Sequence, residues 1–338
     1  MFHSFSSNSA DDLWWQVACK FREMSGTTKQ ASRGGPTAEL LHTSLELRNP
    51  RDRWISSRSP AINPAFALAE VVWIMRGRND SAFLNYFNSK LSDFAGKGET
   101  YHGAYGYRLR HTLGFDQLEA AYQALKENPD SRQVVLQIWD GRTDFPAEQG
   151  APVSPDVPCN VIAMLKVRDG RLEWTQIMRS NDLFLGFVHN VVQFTFVQEV
   201  VAGWLGLEIG PYHHFSDSMH VYEKDGISLS DCFKQDTIRS TDRLDEPREI
   251  SEASFIELER LIEKIIRPEV SYTVLLNLWH SLELKAAYRN MACMLVCEGL
   301  RRRGQRKQAE ELLTGCTNPA YSSLFVRWLR RLDSAKEI

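Results

Sequence analysis

Five groups of polar residues lie between positions 159 and 222, and their types could act together on a nucleotide. They are Cys159, Arg179-Ser180, Asp182, Asn190 and His220-x-Tyr222. A cysteine is nucleophilic as its thiolate, which a nearby positive charge stabilises. An asparagine offers a donor and an acceptor together, which suits the edge of a uracil-like ring. A histidine and a tyrosine two residues apart on a strand point to one face, where they could hold a sugar hydroxyl. Each residue alone could be structural, but packing does not explain the whole combination.

A predicted hairpin brings the cysteine and the arginine together. Residues 161–167 alternate between apolar and polar side chains, as do residues 171–178, and Asp169-Gly170 between them is a favoured two-residue turn. Because the two strands would be antiparallel, Cys159 and Arg179 are expected near the same end of the pair.

Three upstream residues are further candidates. Arg33 lies in a glycine-containing loop, residues 25–37, which could close on an anion or could be a solvated turn. Glu70 lies in the middle of an apolar stretch that predicts a buried helix up to Met75, and a buried carboxylate needs a partner or a function. Arg132 precedes a predicted strand, residues 133–139, where it could bind an anion or face solvent.

Composition restricts the class of protein. The chain has 338 residues, 43% hydrophobic and 25% charged, which is typical of a globular protein with a sizeable core. The net charge of -3 argues against a general attraction to nucleic acid. Six cysteines without a CxxC pair indicate a reducing compartment. Residues 191–207 are interrupted by polar side chains and predict a core helix rather than a membrane span. We therefore expect a soluble cytoplasmic protein.

The elements alternate irregularly, which predicts the α+β class. Asp11 or Asp12 is expected to cap a first helix. The last third of the chain predicts long helices at residues 251–266 and 274–300. The basic run 301–307 then follows, which is either a solvated helix end or a nucleic-acid contact. We expect a catalytic core over residues 1–230 and a helical extension over residues 231–338 packed on it.

The polar pattern resembles a known family. Pro158-Cys159, then Arg179-Ser180-x-Asp182-x-x-Leu185-Gly186, then Asn190 and His220-x-Tyr222, is similar to the core of thymidylate synthase and the pyrimidine nucleotide hydroxymethylases. The resemblance extends over about residues 11–225, and Tyr105-Gly106 matches a further element of the family. It implies a three-layer α+β fold with a mixed sheet and a homodimer formed through that sheet.

The resemblance also implies roles in transferring one carbon from 5,10-methylenetetrahydrofolate to C5 of a pyrimidine nucleotide. Catalysis is implied for Cys159, which adds to the base, and for Glu70, Arg179 and Tyr105. Phosphate and sugar binding is implied for Arg33, Arg179, Ser180, His220, Tyr222 and a partner subunit's Arg132. Asn190 would bind the base edge, Asp182, Leu185 and Gly186 would bind the folate, and no metal is implied.

Several positions depart from the family pattern. Gln133 replaces a second phosphate arginine, His189 replaces an aromatic folate contact, and Leu91 aligns with a tryptophan that covers the reacting carbon. Helices from Ser251 onward stand where the family has a closing tail. Methylation of (d)UMP is the first expectation and 5-hydroxymethylation of (d)UMP or (d)CMP the alternative. A weakened relative that only binds nucleotide or RNA is a third hypothesis.

Overall fold

The computed structural model describes residues 2–334 as a mixed sheet covered by helices. The strands are β1 (His3–Ser7), β2 (Thr28–Gln30), β3 (Thr37–Leu47), β4 (Val135–Gln137), β5 (Asn160–Arg168), β6 (Arg171–Asp182) and β7 (Glu208–Tyr222). The helices are α1 (Ala10–Arg22), α2 (Pro64–Met75), α3 (Ser81–Asn85), α4 (Leu91–Ala95), α5 (Tyr105–Tyr107), α6 (Gln117–Glu127), α7 (Gly141–Asp144), α8 (Phe187–Trp204), α9 (Gly226–Ser230), α10 (Arg248–Ile265), α11 (Tyr272–Ser281), α12 (Ala286–Arg302), α13 (Arg306–Leu313) and α14 (Pro319–Ser334). Single helical turns occur at Arg108–Thr112, Glu148–Gly150 and Glu223–Asp225.

The sheet contains parallel and antiparallel pairs in the order β1-β3-β7-β6-β5-β4, with β2 beside β3. β1 with β3 and β6 with β7 are parallel, and the other pairs are antiparallel. The predicted β5–β6 hairpin is confirmed. Arg168 pairs with Arg171, and the two turn residues between them have positive φ, 50° at Asp169 and 69° at Gly170. The α+β class with a mixed sheet is confirmed as well.

The central helices pack on one face of the sheet. α2 begins at a proline whose fixed φ suits the first helical position, and the Ala65 N–H donates to the Asn63 side chain that caps it (3.0 Å). Both α2 and α8 are buried on nearly every side. On β6, Trp174 and Met178 point into this core, whereas Thr175 and Ile177 on the opposite face stay partly exposed. The second face of the sheet is therefore open in the described chain.

The C-terminal helices join the same hydrophobic core. α10, α12 and α14 all contact α2, and buried side chains from both parts of the chain form one continuous cluster. Glu199 on α8 is fully buried and accepts hydrogen bonds from the guanidinium groups of Arg51 (2.7 Å) and Arg53 and from the Leu244 N–H (3.2 Å). This carboxylate therefore ties α8 to the segment that leads into the C-terminal helices.

The prediction of one continuous helix over residues 274–300 is wrong. α11 ends at Ser281 and α12 begins at Ala286, because Leu282 has an extended backbone (ψ 124°). The Leu282 carbonyl accepts a hydrogen bond from the Arg289 guanidinium (2.6 Å), which also lies 4.3 Å from the centroid of the Trp279 ring. These contacts stabilise the bend, while apolar residues continue through it and hide it in the sequence.

Within residues 2–334, none of the helices has the length and apolar character needed to cross a membrane.

Candidate active site

Cys159 and Arg179 lie side by side where β5 and β6 meet. The backbone N–H of Arg179 donates a hydrogen bond to the backbone carbonyl of Cys159 (2.9 Å), as the predicted strand pairing requires. The Arg179 guanidinium lies 3.8 Å from Sγ of Cys159. The same guanidinium donates to the carbonyls of Val157 and Pro158 (both 3.0 Å), so it also fixes the loop that carries the cysteine. Burial raises the pKa of the Cys159 thiol, and the Arg179 charge opposes that rise. The predicted nucleophile is thus next to its predicted cation.

Ser180, His220 and Tyr222 form a polar group beside that pair. Ser180 Oγ lies 3.4 Å from Nδ1 of His220, and the His220 and Tyr222 rings meet edge to face at 5.5 Å. The loop containing Arg33 folds over Tyr222. A Cβ at Gly34 would lie only 2.6 Å from the tyrosine ring, so glycine permits this approach. Arg33 remains exposed and donates a weak hydrogen bond to the Phe94 carbonyl (3.4 Å).

Asp182 ends β6 and organises the turn into α8. Its Oδ1 accepts hydrogen bonds from the Phe184 N–H (2.7 Å) and the Leu185 N–H (2.9 Å). Its Oδ2 is buried and has no hydrogen-bond partner within residues 2–334. Burial raises the pKa of this carboxyl. Gly186 is the residue immediately before α8. A Cβ at Gly186 would lie 3.2 Å from the Asn181 side chain. The turn therefore leaves one buried carboxylate oxygen whose hydrogen-bonding capacity is not used within residues 2–334.

Asn190 and Glu70 come from the two central helices. Asn190, in the first turn of α8, is buried and donates to the Gln193 side chain (3.2 Å). Glu70, on α2, lies with Oε2 3.3 Å from Nδ1 of His189. The His189 ring meets Phe66 edge to face at 5.0 Å, so an aromatic contact holds it in this position. The sequence identified His189 only as a departure from a family position, and its pairing with Glu70 arises from helix packing.

Tyr105 and Asp156 complete the surroundings of the cysteine. Burial raises the pKa of the Tyr105 hydroxyl well above its usual value, with the nearby negative charges of Cys159, Asp156 and Glu70 adding to that effect. Asp156 accepts a hydrogen bond from the Gly103 N–H (2.7 Å), and burial raises the pKa of its carboxyl to about 6. The sequence pattern did not single out Asp156 as a candidate site residue. Its position three residues before Cys159, on the same loop, was the available signal.

Two predicted features lie apart from this group. Arg132 is exposed in the loop before β4 and forms no hydrogen bond or ion pair with residues 2–334. Leu91 begins the short helix α4 and packs against the core from a partly buried position. The structure therefore brings together every predicted site residue of one subunit except Arg132.

The basic run 301–307 is engaged within the chain. Arg301 and Arg302 pair with the buried carboxylate of Glu298 (2.7 and 2.9 Å), and Arg303 donates to backbone carbonyls that include Ile265 (2.9 Å). Arg306 pairs with Glu310 (2.8 Å). These contacts favour the interpretation of the run as helix-end structure over a nucleic-acid contact. Among residues 2–334, no group of three or more His, Cys, Asp and Glu side chains could hold a metal ion.

Comparison with known proteins agrees with this geometry. The model of the family described as thymidylate synthase matches residues 25–241, which is more than half of the chain and includes every predicted site residue. The chain belongs to the thymidylate synthase family.

The relatives include proteins named deoxyuridylate hydroxymethyltransferase and proteins named thymidylate synthase. The chain is similar to the deoxyuridylate hydroxymethyltransferase of Bacillus phage SP01, 35% identical over 206 residues that cover 58% of this chain and 53% of the relative. It is similar to the protein of the same name in Pseudomonas phage M6, 38% identical over 200 residues, 58% of this chain and 55% of the relative. It is also similar to the thymidylate synthase of Clostridium beijerinckii, 30% identical over 174 residues, 50% of this chain and 62% of the relative. The chain spans about half the length of the two phage relatives it matches.

Proposed function

We propose that the protein transfers a one-carbon unit to C5 of a pyrimidine nucleotide, most directly (d)UMP. The observation that carries the proposal is the Cys159 Sγ 3.8 Å from the Arg179 guanidinium, within a chain of the thymidylate synthase family. A partly buried thiol is helped by such a cation to form the nucleophilic thiolate. The thiolate adds to C6 of the base, which makes C5 nucleophilic, and the thiolate leaves again when the C5–C6 double bond reforms.

The neighbouring side chains suit a nucleoside monophosphate. Arg179, Ser180 and the exposed Arg33 would bind the 5′-phosphate, and His220 with Tyr222 would bind the sugar hydroxyl. Asn190 would bind the uracil edge through an amide that offers both a donor and an acceptor. Glu70, held 3.3 Å from His189, would order water and move protons at the base. Tyr105, kept neutral by burial, would donate a hydrogen bond beside Cys159.

The turn after β6 suits a folate. Asp182 uses one carboxylate oxygen for the turn and leaves Oδ2 buried without a partner in the described chain, ready to accept an N–H of the pterin. Leu185 and Gly186 would line the same side. 5,10-Methylenetetrahydrofolate would supply the one-carbon unit when bound.

Two products are possible from this chemistry. Reduction of the exocyclic methylene would give a methyl group and requires a site closed to water. Attack by water would give a hydroxymethyl group. The names of the two phage relatives favour the hydroxymethyl product for this chain, and the name of the bacterial relative favours the methyl product.

A homodimer would complete the site. The open face of the sheet carries partly exposed Met164, Ile177 and Phe215 among other apolar residues, and a second copy of the chain would cover it. Arg132, which pairs with nothing in residues 2–334, would then reach the phosphate of the partner's site. Residues 231–338 would act as a helical extension of the core. Six unpaired cysteines support a reducing compartment such as the cytoplasm.

Product analysis tests the proposal. The protein is incubated with 5,10-methylenetetrahydrofolate and each of dUMP, UMP, dCMP and CMP, and the nucleotide mass is measured, with Cys159→Ala as the control. We expect a methylated or hydroxymethylated uridylate that disappears with Cys159→Ala. Nucleotide binding without product, unchanged in Cys159→Ala, would instead favour a binding protein.

A further inference from the structure

We propose that Asp156 is the general base that activates water against the one-carbon unit on C5, so that the released product is a hydroxymethylated nucleotide. This inference rests on the proposed function, because it concerns the fate of the intermediate that Cys159 makes possible. According to this inference the methylene intermediate reacts with water rather than being reduced, and one carboxylate is responsible for that outcome.

The carboxylate is anchored on one side and free on the other. Oδ2 accepts a hydrogen bond from the Gly103 N–H (2.7 Å), whereas Oδ1 forms no hydrogen bond within residues 2–334. The backbone of Gly103 approaches so closely that a Cβ there would lie 2.7 Å from the Asp156 carbonyl oxygen and 3.0 Å from Oδ1. The side chain is partly exposed, so water can reach it. One oxygen thus fixes the group and the other is available to a water molecule.

The carboxylate lies within the electrostatic surroundings of the nucleophile. Asp156 lies three residues before Cys159, on the loop that Arg179 holds through the carbonyls of Val157 and Pro158. Its charge raises the pKa of Cys159 and of Tyr105. Burial raises the pKa of Asp156 itself to about 6. The titratable and charged groups that face it are Arg33, Tyr101, His102, Tyr105, Arg108 and Cys159. At neutral pH the carboxylate is therefore ionised yet more basic than an exposed aspartate, which is the range that suits a general base.

The step balances without an oxidant or reductant. The exocyclic methylene on C5 is conjugated with the C4 carbonyl, so the water oxygen bonds to the methylene carbon while one water proton passes to Asp156. The displaced electron pair moves to C5 and the C4 carbonyl. It then reforms the C5–C6 double bond as the bond from C6 to Cys159 breaks, which returns the thiolate. Asp156 afterwards gives its proton to solvent.

The decisive variant is Asp156→Asn, assayed in a single turnover with the protein in excess over dUMP tritiated at C5, so that each active site passes through the methylene intermediate once. Release of tritium reports the steps up to the methylene intermediate, and product mass reports the water step. We expect tritium release to stay close to that of the unchanged protein while hydroxymethyl formation falls about 100-fold, the lower end of what a general base contributes. An added thiol should then capture the methylene as a thioether. Hydroxymethyl formation by the unchanged protein should rise with pH through about 6, and this rise should vanish in Asp156→Asn.

Three further variants separate chemistry from structure. Gly103→Ala keeps the carboxylate but forces it to shift, and should cause the same selective loss. Asp156→Glu should restore part of the hydroxymethyl formation. Asp169→Asn removes an exposed carboxylate from the β5–β6 turn, where φ is 50°, and should change neither readout. Thermal unfolding of the four variants at the same temperature as the unchanged protein would verify that they are folded.

The outcomes are distinct. Methylated uridylate with dihydrofolate from the unchanged protein would overturn the inference and leave one-carbon transfer standing. Hydroxymethyl formation by Asp156→Asn at the original rate, or an equal loss of tritium release and product, would also overturn it. Absence of tritium release from every nucleotide with the unchanged protein would instead refute the proposed function.

Discussion

Removing the Arg179 guanidinium should make Cys159 harder to ionise. The guanidinium lies 3.8 Å from Sγ, and it opposes the rise in pKa that burial causes. A hydrogen bond to a charged group contributes about 1.5–3 kcal/mol. Because Arg179 is exposed and the contact is long, we take the lower end. About 1.5 kcal/mol corresponds to about one pKa unit, so the thiolate fraction at neutral pH should fall about tenfold in Arg179→Gln.

The assay is alkylation of Cys159 by iodoacetamide as a function of pH, followed at that residue by mass spectrometry of peptides. The pH at half-maximal rate should rise in Arg179→Gln and move less in Arg179→Lys, which keeps the charge. Arg171→Gln, which removes an exposed arginine at the opposite end of β6 from Arg179, should leave the curve unchanged. Arg179 also fixes the loop through the carbonyls of Val157 and Pro158, and a looser loop would expose the thiol and lower its pKa. An unchanged or lowered pKa in Arg179→Gln would therefore refute the electrostatic role.

Three other predictions concern assembly, stability and pH. Cys159→Ala subunits and Arg132→Ala subunits should each be inactive alone, and mixing them should restore about a quarter of the activity. About half of the dimers would then contain one subunit of each kind, and each such dimer would have one complete site of its two. No recovery would show that Arg132 does not serve the partner's site. Glu199→Gln should lower the free energy of unfolding by about 3 kcal/mol in urea titrations, because it weakens a buried ion pair with Arg53, whereas the exposed Glu310→Gln should cost under about 0.5 kcal/mol. Burial lowers the pKa of His214 from its usual value of 6.5 to about 3. Between these pH values the unfolded chain binds a proton that the folded chain does not, so the free energy of unfolding should fall by about 1.4 kcal/mol per pH unit as the pH is lowered from 6.5 towards 3. His214→Gln should flatten that part of the stability curve, and an unchanged slope would contradict the assignment.

Local patterns account for the elements that were predicted well. The β5–β6 hairpin follows from two alternating segments and the Asp169-Gly170 turn, and α2 follows from an apolar run after Pro64. The hairpin in turn places Cys159 beside Arg179, because strand pairing converts sequence separation into proximity. These features depend on neighbouring residues and on backbone geometry that is the same in every protein.

Other features depend on distant contacts and could not be predicted. Asp11 was expected to be a helix cap, but Ser9 caps α1, and the buried Asp11 carboxylate accepts hydrogen bonds from the N–H groups of Ser56 (2.7 Å) and Ser57 (2.6 Å). The expectation that Asp11 or Asp12 caps the helix is therefore wrong. The break at Leu282 likewise follows from the contacts of Arg289 rather than from the local sequence.

The sequence by itself determined the family pattern, the order of the candidate site residues and the class of the fold, because these are properties of residue type and spacing. The tertiary structure alone decided which side chains meet from different elements. It set Glu70 against His189 across two helices, left Oδ2 of Asp182 without a partner in the described chain, and anchored Asp156 on Gly103. The physical reason is that burial and electrostatic surroundings are set by packing between segments far apart in the chain, and these surroundings determine what a carboxylate or a thiol can do.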